Sequence, residues 1–274
     1  GLMFFTLAIV FFLKFENEKK FKFVISNIIF TALSSYFSPN FSVFSIFFLL
    51  KFISYYELFS RQIIYALILN LILSFPAIYY IFVLDINFMV KSATIGMREN
   101  DSIFFNNFYN DLLITFTIIF FYLTPFIIFK FIKIDNLFKY KNIILSILIF
   151  LICINYFDYN YSYSGGGIFF KASNFIFGNN YLFFLISFIS ISFIVPILTN
   201  NKFNFILFIL IILNNPQYTI YHKYFDPFLI IVFFTILSLR MDLKKLIYKN
   251  NFLYIFSYFL VFLMINNLKI IWIT

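Results

Sequence analysis

The chain has 274 residues, 63% of them hydrophobic and 11% charged, and carries a net charge of +9. Ordinary soluble domains hold roughly 45–50% apolar and about 25% charged residues. This composition therefore excludes a water-soluble fold built round one core, and it predicts an all-α, polytopic transmembrane bundle.

The 49 Phe, with abundant Ile, Asn, Lys and Tyr, point to AT-rich coding, so single aromatic positions carry little functional weight. Ten segments are apolar and free of acidic residues: 1–13, 23–37, 41–54, 63–84, 112–129, 143–157, 181–199, 204–214, 227–239 and 252–272. Runs such as Ile63–Leu84, Leu112–Phe129 and Tyr181–Thr199 approach the roughly 20 residues that span a hydrocarbon core. Segment 41–54 contains Lys51 and, like 204–214, is short, so eight to ten crossings are expected. Segment 1–13 has no basic start and no small-residue cleavage site, so it is not read as a signal peptide. It is expected to be the back half of a transmembrane helix, in a single membrane domain (1–274) that lacks its N-terminal part. No internal repeat or linker is visible. The lone Cys153 lies mid-segment and reads as a small buried apolar side chain.

Ten crossings put alternate loops on opposite sides. One set contains Lys14, Lys19, Lys20 and Lys22, then Arg61, then Lys130, Lys133, Lys139 and Lys141. Lys202 follows, and Arg240, Lys244, Lys245 and Lys249 complete fourteen of the twenty Lys and Arg. The opposite set holds Lys91, Arg98, Lys171 and Lys223. The positive-inside rule places the first set in the cytoplasm. The basic charge is then a topology signal, and no nucleic-acid partner is expected. The partners are the lipid bilayer and what it carries.

Three loops on the outer side are chemically mixed. The first, Asp85 to Asp111, contains Asp85, Lys91, Arg98, Glu99 and Asp101. Its carboxylates beside Arg98 either bind a metal-bound pyrophosphate or supply a base, with Asp85 and Asp101 as candidates, or they form a solvated surface with local ion pairs. No alternating Asp-x-Asp run stands out. The second loop reads Asp158-Tyr159-Asn160-Tyr161-Ser162-Tyr163-Ser164-Gly165-Gly166-Gly167 and spends half of the six glycines. Around Gly166 the backbone is free to take positive φ, either as a tight turn between belt tyrosines or as a bend dipping inward to cradle a phosphate or sugar. The third runs from Asn214 to Pro227 and places His222, Lys223, Tyr224 and Asp226 together before an apolar helix. Polar groups at a membrane boundary are costly unless solvated or paired, which makes such clusters functional candidates. The alternative is snorkelling side chains ahead of a helix-starting proline. One His and one Cys do not make a zinc site. No cofactor is expected, with a divalent metal left open.

Ala32-Leu33-Ser34-Ser35-Tyr36-Phe37-Ser38-Pro39, followed by 41–54 and Arg61, resembles the helix, Ser-Pro turn and returning helix of the C-type integral membrane glycosyltransferases. His222-Lys223-Tyr224-Phe225-Asp226-Pro227 resembles their late basic–Tyr–x–x–Pro element, which opens a helix from the outer face. The resemblance implies sugar transfer from a polyprenyl-phosphate-linked donor at the extracytoplasmic face of a bacterial inner (plasma) membrane. It sets Lys223 near the donor phosphate. The family's usual catalytic acid lies in an outer loop that would precede Gly1. A transporter or flippase is the first alternative. Pro76, Pro125 and Pro196 interrupt spans, but Lys51 and Lys269 are the only charges within them. A polysaccharide polymerase or ligase, or a purely structural membrane subunit, are the others.

Overall fold

Every one of the ten apolar segments coincides with a helix in the computed structural model, which describes residues 1–84, 108–132, 139–160, 165–215, 220–222, 225–239 and 248–273. A chain this apolar satisfies its backbone N–H and C=O groups locally, and a helix does so within one segment. In order, α1 is Leu2–Glu18, α2 Phe21–Phe37, α3 Phe44–Tyr56 and α4 Arg61–Phe82. Next come α5 Phe108–Ile128, α6 Tyr140–Asn155, α7 Gly167–Phe177 and α8 Tyr181–Asn200, followed by α9 Lys202–Leu213, α10 Phe228–Thr235 and α11 Lys249–Ile273. A short 3-10 turn, Pro39–Val43, joins α2 to α3 after the extended Ser38.

Local chemistry marks several ends. Lys19, at φ 56°, closes α1 by donating its N–H to the Phe15 carbonyl. The Ser60 hydroxyl accepts from Ile63 N at the start of α4, and the Asn201 side chain accepts from Phe203 N at the start of α9. Both are standard N-cap chemistry. Pro76, Pro125 and Pro196 lie inside α4, α5 and α8, which run through them as continuous helices.

Helix α5 is the hub: it packs against α6, α7, α8, α9, α10 and α11. In its apolar stretch 72% of residues are buried, against 11% in α4. The α1–α2 hairpin joins the rest through α10, where Phe5 packs 5.7 Å from Phe228, and α3 meets α9. Polar side chains face inward and cross-link helices. Asn27 donates to the Ala8 carbonyl at 2.8 Å, tying α2 to α1. The Thr199 hydroxyl donates to Asn142 at 3.1 Å, tying α8 to α6. Asn204 donates to the carbonyls of Ile197 and Ser238 and accepts from Ser238 N at 2.9 Å.

The outward surface is the reverse. Ile64, Leu67, Ile68, Leu71, Ile72 and Phe75 of α4 are all exposed, as are Ile144, Ile147, Leu148 and Leu151 of α6. Three helices among the described residues are long and apolar enough to cross a membrane: Arg61–Tyr79, Phe108–Ile128 and Tyr181–Asn200. With 12 and 8 residues, α9 and α10 fall short of a single-helix crossing. The segments expected as separate crossings there are therefore packed helices shorter than a span.

Asn204 makes three of the bonds that close this bundle, and Asn204→Leu strips them while keeping the number of side-chain heavy atoms. A loss of about 2 kcal/mol is expected, at somewhat under 1 kcal/mol per bond. Unfolding of the purified protein in detergent reads it, and an unchanged midpoint would show that the cross-link is dispensable.

Candidate functional site

The polar residues that chemistry needs gather where two non-helical segments enter the bundle beside α5. The first begins with a clamp: the Asn110 side-chain amide donates to Asp158, and Asp158 N donates back to Asn110 Oδ1 at 3.1 Å. Tyr156 stacks on Tyr109 beside it, with ring centroids 4.8 Å apart. This clamp fixes the segment after α6 against the first turn of α5. Asp111 is buried in that same turn, at 2% exposure.

From the clamp the chain passes inward through buried Tyr159 to the glycine run. Gly166 and Gly167 take φ of 99° and 74°, the left-handed region that favours glycine. At Gly165 the demand is space, since a Cβ would lie 2.6 Å from both the Ile220 carbonyl oxygen and the Tyr159 hydroxyl. Gly166 N donates to the Ile220 carbonyl at 2.8 Å, and Ile220 N donates to the Tyr159 hydroxyl at 3.3 Å. The peptide groups of Ile220 are thus gripped from both sides. The glycine bend then opens α7 instead of ending in a turn.

Two residues beyond Ile220, His222 is set against α5 and α11. Its ring centroid is 5.2 Å from those of Phe121 and Tyr122 and 5.7 Å from that of Phe262. Both ring nitrogens are buried, and neither has a hydrogen-bond partner among the described residues. The Tyr122 hydroxyl also lies close to the carboxyl group of Asp226. One tyrosine therefore lies beside both polar residues of the third loop. Tyr122 lies eleven residues along α5 from Asp111, about 16 Å at 1.5 Å per residue. His222 consequently sits beside the last third of α5, six residues before its end at Ile128, and not at the mouth of a helix.

Burial pushes the His222 imidazole down to about 4, from an ordinary value of 6.5. It is neutral at pH 7, with one nitrogen able to donate and the other to accept. Partial desolvation holds the Asp226 carboxyl above the usual carboxylate range, and the nearby Tyr122 hydroxyl opposes that rise. A neutral imidazole can accept a proton from a hydroxyl brought within hydrogen-bond reach.

Of the residues singled out from sequence, Gly166, His222 and Asp226 are brought together through Ile220. Asp85, Arg98, Asp101, Lys223 and Tyr224 lie outside the described residues. Asp158 and Tyr159 belong to the second loop singled out from sequence, whereas Tyr122 and Asn110 were not anticipated. Among the described residues no three of His, Cys, Asp and Glu converge as metal ligands.

Two outcomes are expected. Gly165→Ala and Gly166→Ala will each lower the unfolding midpoint more than Gly178→Ala. Residue 178 has φ 64° but nothing within 4 Å of a new Cβ, so its cost is about 1 kcal/mol of backbone strain. Equal costs at the three sites would mean that the grip on Ile220 is not what the glycines serve. The second concerns pH. The unfolded chain protonates His222 near 6.5 and the folded chain near 4, so the unfolded state binds the extra proton between these values. Stability from this group is complete above about 6.5 and is lost as pH falls towards 4. A flatter midpoint-against-pH curve for His222→Gln is the check. Comparison with protein-family models, with curated proteins and with solved structures finds no match to this chain.

Proposed function

We propose that the chain is a polytopic helical membrane protein of a bacterial inner membrane. In this reading it transfers a sugar from a lipid-phosphate-linked donor at the extracytoplasmic face. Support for the membrane comes from the distribution of side chains: apolar residues face outward along α4, α6 and α11, while Asn27, Asn142 and Asn204 face inward. Contiguous apolar faces of that size need a covering, and lipid is the covering that fits helices on several sides at once. The basic ends agree with the charge pattern. Lys19 closes α1 beside Tyr55 at the end of α3, and Lys51 reaches Phe203 at the start of α9.

The observation that carries the enzymatic reading is His222, buried against Tyr122 with both nitrogens unpartnered among the described residues. In the proposed step an acceptor hydroxyl gives its proton to the neutral imidazole. Its oxygen attacks the anomeric carbon, the bond from that carbon to the phosphate oxygen breaks, and the lipid phosphate leaves with the electron pair. A phosphate is already a good leaving group, so the step needs one base and cations on the departing oxygens. Lys223, next in the chain, is the cation that the family resemblance would supply, with Arg98 a second.

A transporter gains less support. Its usual mark is helices broken at mid-depth, whereas α4, α5 and α8 continue through their prolines.

The test is transfer of label from polyprenyl-phosphate sugars in membranes containing the full-length protein. His222→Gln should lower transfer by about 10²-fold or more, and Lys223→Ala should also lower it, with insertion unchanged in both. Transfer indifferent to both substitutions would remove the site, and no transfer from any donor would remove the reaction.

A further inference from the structure

The end of α9 away from the His222 segment holds a second feature, a cleft of about 160 Å³ between the ends of α1, α3 and α9. Its walls are the rings of Phe12, Phe15 and Phe203, and its rim carries Lys19, Lys51 and Glu16. Lys51 is the more enclosed cation, with 19% of its side chain exposed. Its ammonium lies 4.3 Å from the Phe203 ring centroid and 3.5 Å from Glu16. Lys19 is exposed and has no carboxylate partner among the described residues. Its ammonium stands 4.8 Å from the centre of the Tyr55 ring. The backbone that presents it is fixed, because Lys19 sits at φ 56° and its carbonyl accepts from the Tyr56 hydroxyl at 3.2 Å.

Two ammonium groups and one carboxylate leave the cleft with one net positive charge. That balance suits a monoanion better than a dianion or a zwitterion. The aromatic walls directly below the charges suit a ligand that continues into apolar matter. Lys14 and Lys22 add a positive field round the same end, while Lys20 is paired with Glu18 at 2.7 Å.

We propose that this cleft binds the phosphodiester headgroup of an anionic membrane lipid, with Lys19 and Lys51 on the phosphate oxygens and the glycerol region against Phe12 and Phe203. The proposal rests on the membrane reading above and is independent of the sugar-transfer reading, since neither lysine belongs to the His222 cluster.

The experiment uses the purified full-length protein in neutral detergent, with unfolding midpoints and native mass spectra recorded after adding phosphatidylglycerol, phosphatidylcholine or inorganic phosphate. Phosphatidylglycerol should raise the midpoint by roughly 3 °C or more over phosphatidylcholine and remain bound in the spectra. Lys19→Gln should reduce that difference by at least half. The Lys19 side chain makes no ion pair among the described residues, so the variant is expected to fold. Glu16→Gln should enlarge the difference by releasing Lys51 from its internal partner. Equal shifts from the two lipids would overturn the proposal, as would a difference that Lys19→Gln leaves intact. An equal rise with inorganic phosphate would assign the same charges to a free phosphate and overturn the lipid as its source.

Discussion

A backbone that leaves the helix inside an apolar bundle must find partners for its N–H and C=O groups, because no water is there to take them. This constraint governs the segments after α6 and α9. Ile220 has no helical neighbour to bond, so Tyr159 accepts from its N–H and Gly166 donates to its carbonyl. Each segment supplies what the other lacks. The exchange requires Gly165 to be without a side chain, since the Ile220 backbone occupies the space where a Cβ would stand. The Asn110–Asp158 clamp anchors the entry of one segment to α5, and the grip on Ile220 passes that anchoring to the other. The position of His222 is thus set by four residues well separated from it in sequence.

Packing among the helices follows the same logic at lower cost. In the membrane reading proposed above, helices gain little from burying Leu or Phe against one another, because lipid is as apolar as the interface. Directional contacts would then carry more of the specificity. Asn204 binds both Ile197 and Ser238, and Asn27 reaches the Ala8 carbonyl because α1 offers a small residue there. Phenylalanine supplies most of the remaining contact area, with Phe5, Phe41, Phe44 and Phe228 interlocking where α1, α3 and α10 meet.

Most of the helices were legible in the sequence, since an acid-free apolar run in this chain has few other ways to satisfy its backbone. The exception among described residues is α7. Its Lys171, Ser173 and Asn174 lower its apolar density, and the preceding glycines read as a turn. The 8 residues of α10 show the opposite error, for apolar character persists to Leu239 although the helix ends at Thr235. Of the candidate site, His222 stood out by being the only histidine. Tyr122 could not stand out among 20 tyrosines, and its role depends on α5 and the third loop meeting in space. Asn110 and Asp158 are 48 residues apart, with no pattern to pair them.

In the proposed reading, the energetic standing of His222 is the argument for its role as base. A buried donor or acceptor without a partner costs about 1–3 kcal/mol, and among the described residues this imidazole brings one of each. Its contacts are the rings of Phe121, Tyr122 and Phe262, which a phenylalanine would pack against without that cost. Edge contacts between an N–H and an aromatic face return only a fraction of it. In a chain with 49 Phe, an apolar side chain at this position would be the ordinary solution. The imidazole is instead packed among three aromatic rings and kept neutral by burial. An acceptor hydroxyl arriving there would supply the missing hydrogen bond. Binding would then be favoured by relief of the buried group, and the same contact would align the proton for transfer.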